Sequence, residues 1–435
     1  MTSRKSYRAL LPAITLLILS VSTIAAGETK LDSIAESYVK LVLKVGLYNA
    51  DYVDYYYGPE EWEIPNTDES RAKFPLSALD TDAGALIQQL QAIASPEQMS
   101  VRERFLLKQL TAVRAFINQL QGKHMTFDEE SKALYDVVAP HVDYSHYDTL
   151  LAQLDSLLPG EGNIGNRIRE YRNRFRVPND DLVAVLEMVT DRARQIVRQH
   201  IDLPENETVT MEYVTGQPWG GFCTFSGNAH SLVQTNIDVP LRIYDVIDQA
   251  AHEIYPGHHT NYTMFEKCLV TDSGWIEYTV SPLFTPWAIV AEGIATNAID
   301  MAFPYDQRLL YLHDFLFPLV GFDTAEAEHY LRVRVARQKL SYVSMSIGRD
   351  YLDGTIDSQK VADLLRKYFG SSDEEVNQSI AFYETYRCYD ITYSIGYDLV
   401  HAYVEAAAGD TSDPEARWKA FEKLLTTPVT PSDLR

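Results

Sequence analysis

Cysteine is nearly missing from this chain: Cys223, Cys268 and Cys388 are the only three in 435 residues. So few and so scattered, they exclude a disulfide framework, and their spacing fits no zinc-thiolate pattern. One bridge with a free thiol, and no bridge at all, both stay open. Basic residues are scarce as well, 38 against 61 acidic ones, for a formal net charge of -23. A surface this acidic, with no basic cluster to offset it, repels nucleic acid and anionic membranes; its ordinary role is solubility. Beyond the first 26 residues there is no run apolar and long enough to cross a bilayer, no repeat of fixed period and no low-complexity linker.

What is present begins with a leader. Arg4, Lys5 and Arg8 precede a mostly apolar run from Ala9 to Ile24, and Ala25-Ala26-Gly27 offers small residues for cleavage. Pro12 and Ser20 interrupt the run, which falls short of the ~20 residues a span requires. Residues 1–26 are therefore expected to be a cleaved signal peptide, leaving a periplasmic or secreted protein without stable membrane insertion. No cysteine follows the run to take a lipid anchor. Loss of the three leader cations shifts the net charge from -23 to -26.

From 27 to 202 the pattern is helical. Leu31, Ile34, Tyr38, Leu41 and Val45 recur at three- and four-residue steps, as do Leu106, Leu110, Val113, Phe116 and Leu120. Pro178-Asn179-Asp180-Asp181 opens a further helix expected to run to Ile201. The aromatic run Asp54-Tyr55-Tyr56-Tyr57-Gly58-Pro59 is expected at a helix end, as packing, with a cleft wall the other reading. A second region, 203–310, opens with strand composition at Thr208–Val214 and Phe222–Phe225, read as a hairpin, before Gly227-Asn228 turns the chain into Ala229–Asn236. Such a strand ahead of a catalytic helix can hold an extended substrate by backbone pairing, or merely support the helix. His230 within it reads as structural. Helices resume in 311–435, including Leu309–Phe317 across the boundary and one long amphipathic element over Thr324–Leu352.

The chemistry concentrates in Ala251-His252-Glu253-Ile254-Tyr255-Pro256-Gly257-His258-His259, on a helix expected over Arg242–Thr263. Zinc hydrolysis needs neutral imidazoles on the metal and a carboxylate beside it as base. The usual helical form, H-E-x-x-H, places both rings on one face, but the position four after His252 is Pro256, which cannot ligate. On an unbroken helix His258 would lie about 240° round from His252. Pro256 and Gly257 therefore predict a bulge or kink that brings His258 back. His259 returns to the same face at seven residues, but about 10 Å along the axis, awkward for two bonds of about 2 Å to one ion. Geometry thus favours His258 over His259. A Pro-Gly insertion in mid-helix costs about 3 kcal/mol or more, which argues against an idle surface cluster. Glu253, one residue past the first ligand, is the natural general base. The third ligand must lie elsewhere. Between Pro286 and Ala302 the sequence is mostly apolar and small, and a carboxylate in so apolar a helix, Glu292, must be paired or bind metal.

His252-Glu253-x-x-Pro256-Gly257-His258-His259, followed by Ala291-Glu292-Gly293, resembles the bacterial zincin-like family catalogued as domain of unknown function 885, sharply over residues 205 to 300. That family is similar to the gluzincins, in which two motif histidines and a glutamate from a later helix bind zinc. The resemblance implies a mainly α, zincin-like helical architecture, with a small β-hairpin or sheet before the active helix and a cleft between helical lobes. It implies one zinc ion on His252, His258 and Glu292, and a metallopeptidase-like site acting on a peptide or small amide. Two other readings stand beside it: a zincin scaffold kept only for binding, against which Glu253 speaks, and a hydrolase of non-peptide amides or esters. Asp300 is either a partner of a ligand imidazole or a helix-end charge. Arg332, Arg334, Arg337 and Arg349 form a solvated face, or one of them neutralises a substrate carboxylate. Tyr389, Tyr393 and Tyr397 share a helix face; such a stripe is ordinarily core, but Tyr393, in a Tyr-x-Ile-Gly segment similar to the family's, can also donate to an oxyanion. Arg387 is a weaker candidate of the same kind.

Overall fold

Each three- and four-residue apolar pattern of the first region becomes the inner face of a helix. The computed structural model describes residues 30–94, 99–217, 220–238 and 240–435, so the expected leader lies outside the described residues. Leu31, Ile34, Tyr38, Leu41 and Val45 are buried along a helix over 30–46. Leu106, Leu110, Val113 and Phe116 are buried in Val101–Leu120, which Ser100 and Glu103 start with reciprocal side-chain caps. The helix after Pro178 spans Asn179–Val197, with Asp180 and Asp181 in its first turn, and stops four residues before the expected end. The architecture is mainly helical, and one apolar core joins residues from Leu31 to Leu434. No helix among the described residues is long and apolar enough to cross a membrane.

Two small sheets interrupt the helices. The aromatic run expected at a helix end is instead strand β1, Val53–Tyr56, antiparallel to β5, Val280–Pro282. Aromatic residues suit a pleated surface, and their packing against a neighbour outweighs the helical surroundings. The register slips between Val53 and Tyr55, so Asp54 is the unpaired residue of a bulge, a device that re-aims a side chain. The second sheet has order β2-β4-β3, from Thr208–Val214, His230–Asn236 and Gly221–Phe225. The expected hairpin of the first two strands does not form. Positive φ angles at Gly227, Asn228 and Ala229 fold β4 back antiparallel onto β3, and β2 pairs parallel with β4.

Two expected long helices are each two. Thr324–Leu352 breaks after Leu340 and restarts at Val343, with the Ser341 hydroxyl turned back onto the Gln338 carbonyl at 2.6 Å. Arg242–Thr263 resolves into Ile243–Gln249, a wide π turn over Ala250–Ile254, and a new helix His258–Phe265. The helix Pro286–Ala302 takes Pro286 as its first residue, after Thr285, and is buried almost throughout, as an all-apolar helix must be. Its closest neighbour is Ile391–Ala408. A Cβ on Gly293 would lie 2.3 Å from the Gly396 carbonyl oxygen, and one on Gly396 2.4 Å from that of Ile289. Asn297 ties the pair, donating to the carbonyls of Gly293 at 2.8 Å and Tyr397 at 3.0 Å. All three cysteines are free thiols.

Candidate metal centre

The π turn is where the motif departs from an ordinary helix. The Tyr255 amide reaches back five residues to the Ala250 carbonyl, and the Gly257 amide six residues to that of Ala251. Tyr255-Pro256 is cis, and the next helix starts when Asn261 donates to Gly257. A Cβ on Gly257 would sit 1.8 Å from the His252 carbonyl oxygen, so no side chain fits there. The helix therefore widens into the π turn, ends and restarts, and the wrapped chain sets the His258 ring 4.8 Å from that of His252, at 86°.

Among the described residues, His252, His258 and Glu292 form the group able to hold a metal, their ligating atoms all within 4.8 Å of one another. Glu292 Oε2 lies 3.3 Å from His252 Nε2 and 3.6 Å from His258 Nε2. Donors bonded at about 2 Å to one tetrahedral ion stand roughly 3.4 Å apart, so these separations fit zinc. At those lengths the imidazole contacts are electrostatic, and Oε2, though buried, has no hydrogen-bond donor. Burial alone would raise the Glu292 carboxyl, but the two imidazoles outweigh it and hold it well below the usual range. Burial opposes charge on His252 too, yet Glu292, Glu253 and Asp248 push it up to about 9.

Each ligand has a support. Tyr389, on the short turn before Ile391–Ala408, donates its hydroxyl to Glu292 Oε1 at 2.7 Å. The Tyr262 hydroxyl lies 3.1 Å from His258 Nδ1 and 3.3 Å from Asp54 Oδ2. With its one proton given to Asp54, the oxygen can accept the Nδ1 hydrogen, an arrangement that would leave His258 Nε2 free to ligate an ion. The Asp54 carboxyl is pushed up to about 7, chiefly by burial. Sequence reasoning missed Asp54 and assigned no role to Tyr262 or Tyr389. The four-residue step from His258 to Tyr262 was a usable signal; the bulge that turns Asp54 inward leaves none in the sequence.

Glu253 follows His252 on the π turn and is buried against β3, where a Cβ on Gly221 would come within 3.2 Å of its Oε1. Tyr393 is 39% exposed, its ring 6.3 Å from that of His252. Both Tyr393 and His252 line a cavity of about 870 Å³, with Asp248, Arg334, Tyr342 and Tyr397.

His259 faces away. It is fully buried, its Nδ1 2.8 Å from the Ser231 hydroxyl and its Nε2 2.9 Å from Glu207 Oε1. Burial is the main reason its pKa is lowered. Glu207 also accepts from Tyr255 and from Arg194 and Arg198, the last two at 2.8 Å. His230 stays on β4 with Thr210 and Ser226. Asp300 touches no imidazole: it pairs with Arg308 at 2.6 Å and accepts from Tyr397 at 2.9 Å, because it sits two turns past Glu292 along a straight helix. Arg387, at a left-handed φ of 54°, pairs with buried Glu130 at 2.6 Å, anchoring the turn that carries Tyr389. Arg349 is occupied by Asp128 and the Ala139 carbonyl, and Arg332 is exposed.

No known family model and no curated protein matches this chain. Among solved structures, the crystal structure of "the putative lipoprotein from Colwellia psychrerythraea" is similar, with a TM-score of 0.52 at 13% identity over 85% of this chain and 71% of that one. At that identity the likeness is one of fold alone.

Proposed function

We propose that this chain is an exported zinc-dependent metallohydrolase that cleaves peptide bonds. The reading is carried by Glu292 Oε2, a buried carboxylate oxygen with no hydrogen-bond donor, facing the Nε2 atoms of His252 and His258. An anionic oxygen so placed needs a positive partner, which is either a protonated imidazole or a metal ion shared with both rings. Two imidazoles beside it favour zinc over calcium or magnesium, which prefer all-oxygen shells. Bound there, zinc supplies the Lewis acidity that polarises a carbonyl and activates water near neutral pH.

The chain's own groups do the rest. Glu253 takes a proton from the attacking water and returns it to the departing amine. Tyr393, beside His252 at the cavity wall, donates its hydroxyl to the developing oxyanion. Tyr389 holds Glu292, and Asp54 acts through Tyr262 to hold His258. Strand β3, an edge of its sheet and next to Glu253, is positioned for an extended peptide to add by backbone pairing. The likeness of the motif to the domain of unknown function 885 and the gluzincins supports the same reading, including a zincin-like architecture. The description of the fold neighbour as a lipoprotein accords with export, without carrying over a lipid anchor.

Metal analysis tests the assignment: purified protein is expected to hold one zinc per chain, and Glu292→Ala to lose it. Absence of stoichiometric zinc in the wild type, or its retention in Glu292→Ala, would overturn the ligand set.

A further inference from the structure

A second cavity, of about 550 Å³, adjoins the first. It is lined by Arg172, Arg337, Ser344, Glu375, Asp390 and Tyr393 among others, and shares Ser341 and Tyr393 with the cavity that reaches His252. Tyr393 thus forms part of both walls. Arg334, on the wall of the first cavity, pairs with Asp248 at 3.4 Å, and Arg242 pairs with Asp245 at 3.7 Å. Among the described residues, Arg172 and Arg337 have no carboxylate within ion-pair distance, and Arg172 Nε is buried without an acceptor. Both guanidinium groups are held below their ordinary pKa, first by burial and then by neighbouring arginines, with Asp245 opposing the shift on both. Glu375 on the same wall is engaged, accepting from the Ser372 amide at 2.8 Å as a helix cap.

The chain does not lack acids to neutralise this pair, since they outnumber bases 61 to 38. Asp245 and Glu375 act on the pair only from beyond ion-pair distance, so two half-buried cations side by side gain from an anion that bridges them. Guanidinium forks suit a carboxylate better than any point-like anion, because they bind both of its oxygens.

We propose that Arg172 and Arg337 form a subsite for a carboxylate of the peptide substrate, borne either by the chain terminus or by an acidic side chain. The identification of the ligand as a peptide rests on the hydrolase reading above. The peptide passes Tyr393 between this subsite and the His252, His258 and Glu292 cluster.

The test is a binding measurement that needs no turnover. Full-length Glu253→Gln protein is titrated calorimetrically, with and without zinc, with three peptides: one with a free C-terminus, the same sequence as its C-terminal amide, and that amide with one internal residue replaced by Glu. Tighter binding of the free acid than of the amide, by about 10- to 100-fold, identifies the terminus as the ligand; the same gain for the internal-Glu peptide identifies the side chain. Arg337→Ala and Arg172→Ala are each expected to abolish that gain while leaving affinity for the plain amide unchanged, which also reports that the variant is folded. Arg337→Lys should restore part of it. Equal binding of all three peptides, no binding of any, or a preference that survives Arg337→Ala would overturn the subsite. Zinc content and hydrolysis are recorded separately, so a protein without metal that still prefers the carboxylate sinks the hydrolase reading and leaves the subsite standing.

Discussion

Tyr262 has one proton to give and two neighbours to serve, Asp54 and His258. Removing its hydroxyl leaves the His258 ring free to turn and take the wrong tautomer, while the ring's packing against Tyr55 and Phe225 stays. Tyr262→Phe is therefore expected to weaken zinc binding about 10- to 100-fold, measured by competition with a chelator, with little change in the thermal stability of the metal-free protein. Glu253→Gln keeps shape and removes only the base. It should retain full zinc while hydrolysis of a peptide library falls by about 10²- to 10⁴-fold; undiminished activity would remove Glu253 from the mechanism. Glu207 makes a different kind of demand. Burial would raise its carboxyl, but His259, Tyr255 and Arg194 together hold it well below its ordinary value of 4.5. A carboxyl depressed in the folded state contributes its stabilisation in full above that ordinary value, and loses it as pH falls toward the folded one. Glu207→Gln should cost about 3 kcal/mol at pH 7, with less further loss than the wild type shows between pH 5 and 3, as read by denaturant titration.

At the level of elements, two glycines decide whether the ligands meet. Gly257 lets the chain pass against the His252 carbonyl, and Gly293 lets the Glu292 helix touch the helix after Tyr389. Gly293→Ala places a methyl 2.3 Å from the Gly396 oxygen and must push the two helices apart. We expect a loss of about 1–3 kcal/mol in thermal or denaturant unfolding, and weaker zinc binding because Tyr389 no longer reaches Glu292. How much of this was legible in the sequence depends on distance along the chain. The Pro256-Gly257 pair announced a distortion and favoured His258 over His259, since a local rule, the helical period, was visibly broken. The apolar setting of Glu292 announced a buried carboxylate needing a partner. The form of the distortion was not legible, because a kink and a stop-and-restart share the same residues. Nor was Asp54, whose approach to Tyr262 depends on a bulge and on strand pairing across more than two hundred residues. The pairing of Thr208–Val214 with β4 rather than with Gly221–Phe225 escaped for the same reason: alternation identifies strands but not their neighbours.

For the molecule as a whole, the proposed metal between the motif and the Glu292 helix would add a bond to segments that packing and the imidazole–carboxylate contacts already join. A ligand that binds the folded state alone stabilises it by about 4 kcal/mol at a thousandfold excess over Kd. With an unfolding entropy of about 2 cal/mol/K per residue over some 400 residues, that corresponds to a drop in Tm of about 5 °C on stripping with a chelator, reversed by added zinc. An unchanged Tm would mean that no tightly bound ion contributes to the fold.

The two residues that interrupt the motif have a further consequence for how sites of this kind are found. Take Pro256 and Gly257 out of the written sequence and His252-Glu253-Ile254-Tyr255 runs directly into His258, spelling H-E-x-x-H. A text pattern with fixed gaps passes over the chain because of an edit of two letters, although the two imidazoles and the carboxylate lie within 4.8 Å of one another. Searching by distances between nitrogen and oxygen atoms, rather than by letters, would recover it, along with any other protein in which a helix stops between its ligands.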